Sequence, residues 1–176
     1  MPLPPRDQRG FVTEDEVAED VAQFLIRQGG VRRQCLQGGA PGADVIVEWQ
    51  GGLLVIEAKG GGSQRPSSKR FGQPFTPLQM KQSWDAAVAQ LPQLEGGVKP
   101  IYLDRQVVIP DYLGIAVPDH SIFRMMFVWC RRRLEFLGDG VWFVSQDGTV
   151  TEALAPRWIP FERRPNVQPV SESPML

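Results

Sequence analysis

The chain has 176 residues, with 19 Lys and Arg against 20 Asp and Glu, one His and two Cys, and 42% of it is hydrophobic. That length suits one globular domain with its own core, and the near-average composition excludes wholesale disorder, a fibrous repeat and a disulfide scaffold. No apolar run approaches the length of a membrane span, and Met1-Pro-Leu-Pro-Pro-Arg6 lacks the apolar stretch of a secretion signal, so a cytoplasmic protein without a membrane partner is expected. The net charge of −1 does not exclude nucleic acid, because it sums opposed segments. Residues 14–20 hold five acids and no base, whereas residues 60–81 hold Arg65, Lys69, Arg70 and Lys81 and no acid.

Residues 1–12 and 160–176 are Pro-rich or polar and read as extended tails on a domain of residues 13–159. Thr13 is placed to cap a helix, with Glu16 in the capping-box position, an apolar stripe of Val17, Val21, Phe24 and Leu25, and Gly29-Gly30 as its end. A strand over Val31 to Leu36 leads into a Gly-rich approach, Gln37 to Gly42. Two apolar runs, Asp44 to Trp49 and Leu53 to Lys59, then flank Gly51-Gly52 as a hairpin.

Residues 60–75 have no regular period. Thr76, Pro77 and Gln79 supply the cap, first turn and capping box of a second helix ending near Leu91. Strands follow at Pro100 to Leu103 and Tyr112 to Val117, then a helix from Asp119 or Ser121 to Leu137, closed by Gly138. Val141 to Ser145 and Thr149 to Leu154 form a final hairpin. This order predicts an α/β fold, a mixed central sheet flanked by helices in a single domain. Trp84, Trp129, Trp142 and Met125-Met126-Phe127 are assigned to the core, and Cys35 and Cys130 read as buried thiols.

With Gly51-Gly52 as a two-residue turn, Gln50 pairs with Leu53, Asp44 faces Lys59 and Ile46 faces Glu57. Asp44, Glu57 and Lys59 then share one face, while Val45, Val47, Trp49, Leu54, Ile56 and Ala58 make an apolar opposite face. Charges on such strands are costly unless paired or metal-bound, and two neighbouring carboxylates repel until a cation separates them. One or two carboxylates with water and phosphate oxygens suit Mg²⁺. A cation held by Asp44 and Glu57 would polarise a phosphodiester, and Lys59 would orient the attacking water and offset developing negative charge. The alternative is a surface hairpin with a Glu57–Lys59 salt bridge.

Asp44 together with Glu57-Ala58-Lys59 resembles the signature of the PD-(D/E)XK nuclease superfamily, with the signature's proline displaced to Pro41 in Ala-Pro-Gly-Ala-Asp44. The resemblance covers residues 13–92 by motif and 100–154 by element order. It implies a restriction-endonuclease-like fold, DNA as partner and Mg²⁺-dependent endonuclease activity, with Mn²⁺ able to substitute and a homodimer as one arrangement. It also implies metal ligation by Asp44, Glu57, the Ala58 carbonyl and Glu14. Glu14 lies in line with the buried stripe of its helix, although a carboxylate there equally complements the helix dipole. Thr76-Pro-Leu-Gln79 is similar to an element of VRR-NUC-type nucleases, which implies a catalytic role for Gln79 beside its simpler one as a cap.

Arg65, Lys69, Arg70 and Lys81 are the candidate nucleic-acid contacts, with Gly60-Gly61-Gly62-Ser63 offering backbone N–H groups and Phe71 and Phe75 able to stack. Arg124 and Arg131-Arg132-Arg133 form either a second phosphate-facing surface or a solvated helix face. His120 reads as a cap-region residue or a base. The rival functions are a non-catalytic module of the same fold that binds DNA or a protein, an RNA or branched-junction nuclease, and an interaction protein with surface salt bridges.

Overall fold

The computed structural model describes residues 3–36, 42–64 and 66–158. In chain order these form α1 (Arg6–Arg9), α2 (Glu14–Arg27), β1 (Val31–Cys35), β2 (Val45–Trp49), β3 (Gly52–Ala58) and α3 (Pro77–Glu95). There follow β4 (Ile101–Leu103), β5 (Gln106–Val108), β6 (Tyr112–Pro118), α4 (Ser121–Leu137), β7 (Gly140–Val144) and β8 (Val150–Leu154). Six strands make one mixed sheet in the order β1-β2-β3-β6-β7-β8. The central neighbours β3, β6 and β7 run parallel, and the outer pairs are antiparallel. The protein is thus a single-domain α/β fold with helices on both faces of its sheet. Among the described residues no helix is long and apolar enough to cross a membrane.

Both capping boxes form as the sequence dictates. Thr13 accepts from the Glu16 N–H while the Glu16 carboxylate takes the Thr13 N–H, and Thr76 and Gln79 do the same at α3. On one face of the sheet, Val17, Val21 and Leu25 of α2 pack on Val45, Val47, Leu54, Ile56 and Ala58. On the other, Trp84, Leu91 and Leu94 of α3 and Phe123, Met126 and Leu134 of α4 pack on Ile46, Val55, Leu113, Ile115 and Phe143. The second core holds α3 helical through Pro92 as far as Glu95, beyond the expected end at Leu91, because Leu94 is buried in it.

The hairpin register differs from the sequence expectation. Trp49 pairs with Gly52, so the turn residues are Gln50 and Gly51, with φ of 48° and 81°, as a type I′ turn requires. Gly52 belongs to the strand for a steric reason. A Cβ there would lie 2.7 Å from that of Asp111, whose carboxylate accepts the Leu53 N–H at 2.8 Å. Val45 faces Ile56, and continuing this register sets Asp44 against Glu57 and not Lys59. The facial assignment survives, because the shift is an even number of residues.

Residues 6–12 are not an extended tail. Arg6 pairs with Asp20 at 2.5 Å and donates to the Ser145 carbonyl, and Phe11 and Val12 are buried. The tail at 160–176, like Pro41 and Arg65, lies outside the described residues. The β4–β5 hairpin was not foreseen beyond its first strand, because its turn is Asp104-Arg105, both at positive φ, without a glycine to announce it. Trp84, Trp142, Met126 and Phe127 are core, but Trp129 is 66% exposed and Met125 40%, since they point away from the sheet on α4. Both cysteines are only partly buried.

Asp139, ahead of β7, is 4% exposed and its Oδ2 has no hydrogen-bond partner. Burial, and then the charge of Glu95, push its carboxyl up to about 7 against the opposing pull of Arg133. The folded state therefore holds this proton more tightly than the unfolded chain does. Its stabilising contribution is complete below the ordinary aspartate range and is lost as pH rises toward 7. Asp139→Asn should flatten this dependence, matching the parent near pH 4 and exceeding it at pH 8 by on the order of 1–4 kcal/mol in urea unfolding.

Candidate active site

Glu57 is the next-to-last residue of β3, a strand bonded on both edges and covered on both faces, and it is 4% exposed. Asp44 stands just before β2 on the same sheet face and is half-buried. Its Oδ2 accepts the Ala58 N–H at 2.7 Å, which pins the carboxylate across the end of the hairpin. Lys59 follows β3, anchored by its N–H to the Ala116 carbonyl of β6, and its Nζ lies 2.5 Å from Glu57 Oε1 and 3.9 Å from Glu14 Oε2. The structure thus brings Asp44, Glu57, Lys59 and Glu14 to one end of the sheet.

Glu14 reaches the site because the first turn of α2 rests directly on Gly60. A Cβ at Gly60 would stand 2.6 Å from the Glu14 nitrogen and 3.0 Å from the Thr13 carbonyl carbon. A cleft of about 550 Å³ opens there, walled by Glu14, Asp15, Gly60, Gly62, Phe75 and Ser83 among others.

Two members of the cluster were missed in the sequence. Gln90 of α3 donates from Nε2 to Glu57 Oε1 at 2.7 Å, and its Oε1 accepts from Lys99 Nζ. Lys99 also stands 3.9 Å from Glu57 Oε2. Neither residue carries a local motif, and both are joined to Glu57 only by the packing of α3 on the sheet. Gln90 is one helical turn below the core residue Leu94 and next to Leu91, a spacing that hints at a sheet-facing position without naming its partner.

The electrostatics follow from burial. Burial first, and then the charge of Glu57, push the Asp44 carboxyl up to about 7, against Lys59 and the Ala58 N–H. Burial alone would lower the Lys59 ammonium, but Glu57, Glu14 and Asp44 outweigh it and raise its pKa. Lys59 is therefore a fixed positive charge and a hydrogen-bond donor at neutral pH, and not a base. Glu57 Oε2 is buried without a hydrogen-bond donor. Among the described residues no group of three or more His, Cys, Asp and Glu side chains is gathered as a metal cluster. The available oxygen donors are the two carboxylates of Asp44 and Glu57, with Glu14 behind Lys59. Two carboxylates, one carrying an orphaned buried oxygen and the other already disfavoured as an anion, fit a hard divalent cation that completes its shell from water and substrate.

Other expected contributors are placed elsewhere. Gln79 spends its Oε1 on the Thr76 N–H at 3.0 Å, as a cap, and no contact joins it to Asp44 or Glu57. His120 is the N-cap of α4, its Nδ1 accepting the Ile122 N–H. The Gly61 N–H goes to Val12 and the Ser63 N–H to Gln73, so these two are not open to phosphate. Arg70 bonds the Pro74 carbonyl and closes its own loop, whereas Lys69 and Lys81 are exposed. Arg124 is held by both oxygens of Asp119, and Arg131 by Glu135.

Compared with protein-family models, curated proteins and solved structures, the chain matches none of them.

Gly60→Ala should press a methyl group into the first turn of α2, costing roughly 1–3 kcal/mol in chemical denaturation and displacing Glu14 from Lys59. Gly61→Ala, whose Cβ would meet only Pro118 at 3.4 Å and Phe11 at 3.7 Å, should cost much less. Equal losses from the two would contradict the packing described.

Proposed function

We propose that the protein is a metal-dependent phosphodiesterase of restriction-endonuclease-like fold that hydrolyses DNA at the Asp44–Glu57–Lys59 cluster. The observation that carries this reading is the paired carboxylates at the end of a buried hairpin, with a permanently charged lysine against one of them. Asp44 and Glu57, with the Ala58 carbonyl, would hold one Mg²⁺, for which Mn²⁺ substitutes. Such an ion supplies Lewis acidity toward a phosphate oxygen and lowers the pKa of a bound water.

The remaining work falls to the chain's own residues. Asp44 is kept in place by the Ala58 N–H, and Glu57 by Gln90, so the two donors are oriented before anything binds. Lys59 offers an ammonium to the non-bridging oxygens, where negative charge grows as the phosphorus becomes five-coordinate. Glu14, across Lys59, keeps that ammonium protonated and aimed. The exposed Lys69 and Lys81 supply phosphate contacts from the loop and the second turn of α3. A cytoplasmic location and a homodimer that cuts two strands are compatible with this reading and are not required by it.

The test is incubation with linear, supercoiled, single-stranded and branched DNA, and with RNA, in Mg²⁺ or Mn²⁺. Cleavage should need the metal, weaken steeply with salt, and fall at least about 10²–10³-fold in Asp44→Asn, Glu57→Gln and Lys59→Met. Full activity in all three variants would overturn the site. Binding without cutting of any substrate would replace the reaction with a non-catalytic module, and a preference for RNA or junctions would replace the substrate.

A further inference from the structure

A second cavity, of about 520 Å³, lies on the other side of the loop that walls the Glu14 cleft. Gly60 and Gly62 face the first cavity and Gly61 the second, and Phe75 borders both. The partition is stitched by main-chain bonds, Gly61 N–H to Val12 and Phe75 N–H to Gly61, each 2.8 Å. The second cavity sits beyond the carboxyl ends of the parallel strands β6 and β7, where open α/β sheets place their ligands.

Its walls are apolar and broad, built by Val12, Phe75, Met80, Pro118 and Val144. Its polar groups are three, Asp119, His120 and Gln146. Asp119 is already matched by the two-pronged contact from Arg124, and no Lys or Arg lines the cavity among the described residues, so nothing there attracts a phosphate or a carboxylate. The ligand the walls suit is therefore neutral. His120 accepts the Ile122 N–H at Nδ1, which leaves the proton of its neutral ring on Nε2 as a donor. Gln146 spends its amide nitrogen on the carbonyls of Arg6 and Phe11, which leaves its Oε1 as an acceptor. One donor and one acceptor among apolar walls suit the polar edge of a heteroaromatic ring.

We infer that this cavity receives one unstacked nucleobase of the nucleic-acid strand whose phosphate lies at the neighbouring carboxylate cluster. The inference rests on the nucleic-acid reading above and adds a base-holding subsite to it. Phe75 and Gly61 form the step between the two cavities, over which the strand passes so that one base enters the second. Extruding a base costs stacking, so single-stranded or locally opened substrate is the class this geometry favours.

The experiment uses the full chain in EDTA, where metal-dependent cutting is absent, and a short single-stranded oligonucleotide carrying 2-aminopurine at its centre. Binding should change the fluorescence of that base, and an oligonucleotide with an abasic site at the same position should bind about 5–100-fold more weakly. That comparison needs no variant and so survives any folding defect. In Gly61→Ala, which narrows the cavity, the abasic penalty should shrink toward one-fold while the melting temperature stays near that of the parent. Equal affinity for the intact and abasic strands in the parent protein would overturn the subsite. Saturable binding of free nucleosides without any base dependence in strands would overturn the strand as their source. A protein that shows the base dependence and never cuts keeps the subsite and loses the reaction, and one that cuts without base dependence does the reverse.

Discussion

The structure turns on the enclosure of β3. This strand is bonded to β2 on one edge and β6 on the other, and its side chains enter a separate core on each face. Water is excluded from Leu54 to Ala58, so a carboxylate near the strand's end must find partners in the protein. Glu57 finds Lys59 from its own strand's exit and Gln90 from the helix above, with Lys99 behind. The glycines at either end have the same origin. Gly52 makes room for Asp111 and Gly60 for the first turn of α2, because the neighbouring elements pack against the backbone itself.

The cluster is only half compensated. A buried and a half-buried carboxylate share the hairpin's end with one close ammonium, and Asp44 responds by holding its proton to about 7. Holding two carboxylates this close costs folding stability, and the proposed cation is what would relieve that cost. Its capping N–H and amide partners fix the carboxylates in position without neutralising them, so a cation would meet preset donors.

The loop after β3 separates two environments. Its ends are tied together by Ser63 to Gln73 and Gly61 to Phe75, and its start is tied to the segment before α2. A cleft bordered by Glu14 and Asp15 lies to one side, and a mostly apolar one, whose Asp119 is held by Arg124, to the other. The segment before α2 is essential to both. Arg6, Phe11 and Val12 hold it against the sheet's end, and Gln146 grips it from the β7–β8 turn.

Local rules made much of this legible in advance. Capping boxes at Thr13 and Thr76, the glycine-marked ends of α2 and α4, and the period-two alternation of β2 and β3 depend on neighbours a few residues apart, and each formed as read. The same alternation placed Asp44, Glu57 and Lys59 on one face, and that survived a wrong turn because an even slip preserves parity. Tertiary structure decided what depends on distant atoms. The true register followed from Asp111 filling the space beside Gly52, and Gln79 was kept as a cap. Trp129 was left outside because the sheet, and not the helix, determines which side of α4 is covered. Gln90 and Lys99 joined the site only when α3 was laid over β3. The sequence alone determined most of the elements, the faces of β2 and β3 and the acidic pair; the tertiary structure determined the partners, because a buried charge is matched by whatever packing brings within hydrogen-bond reach.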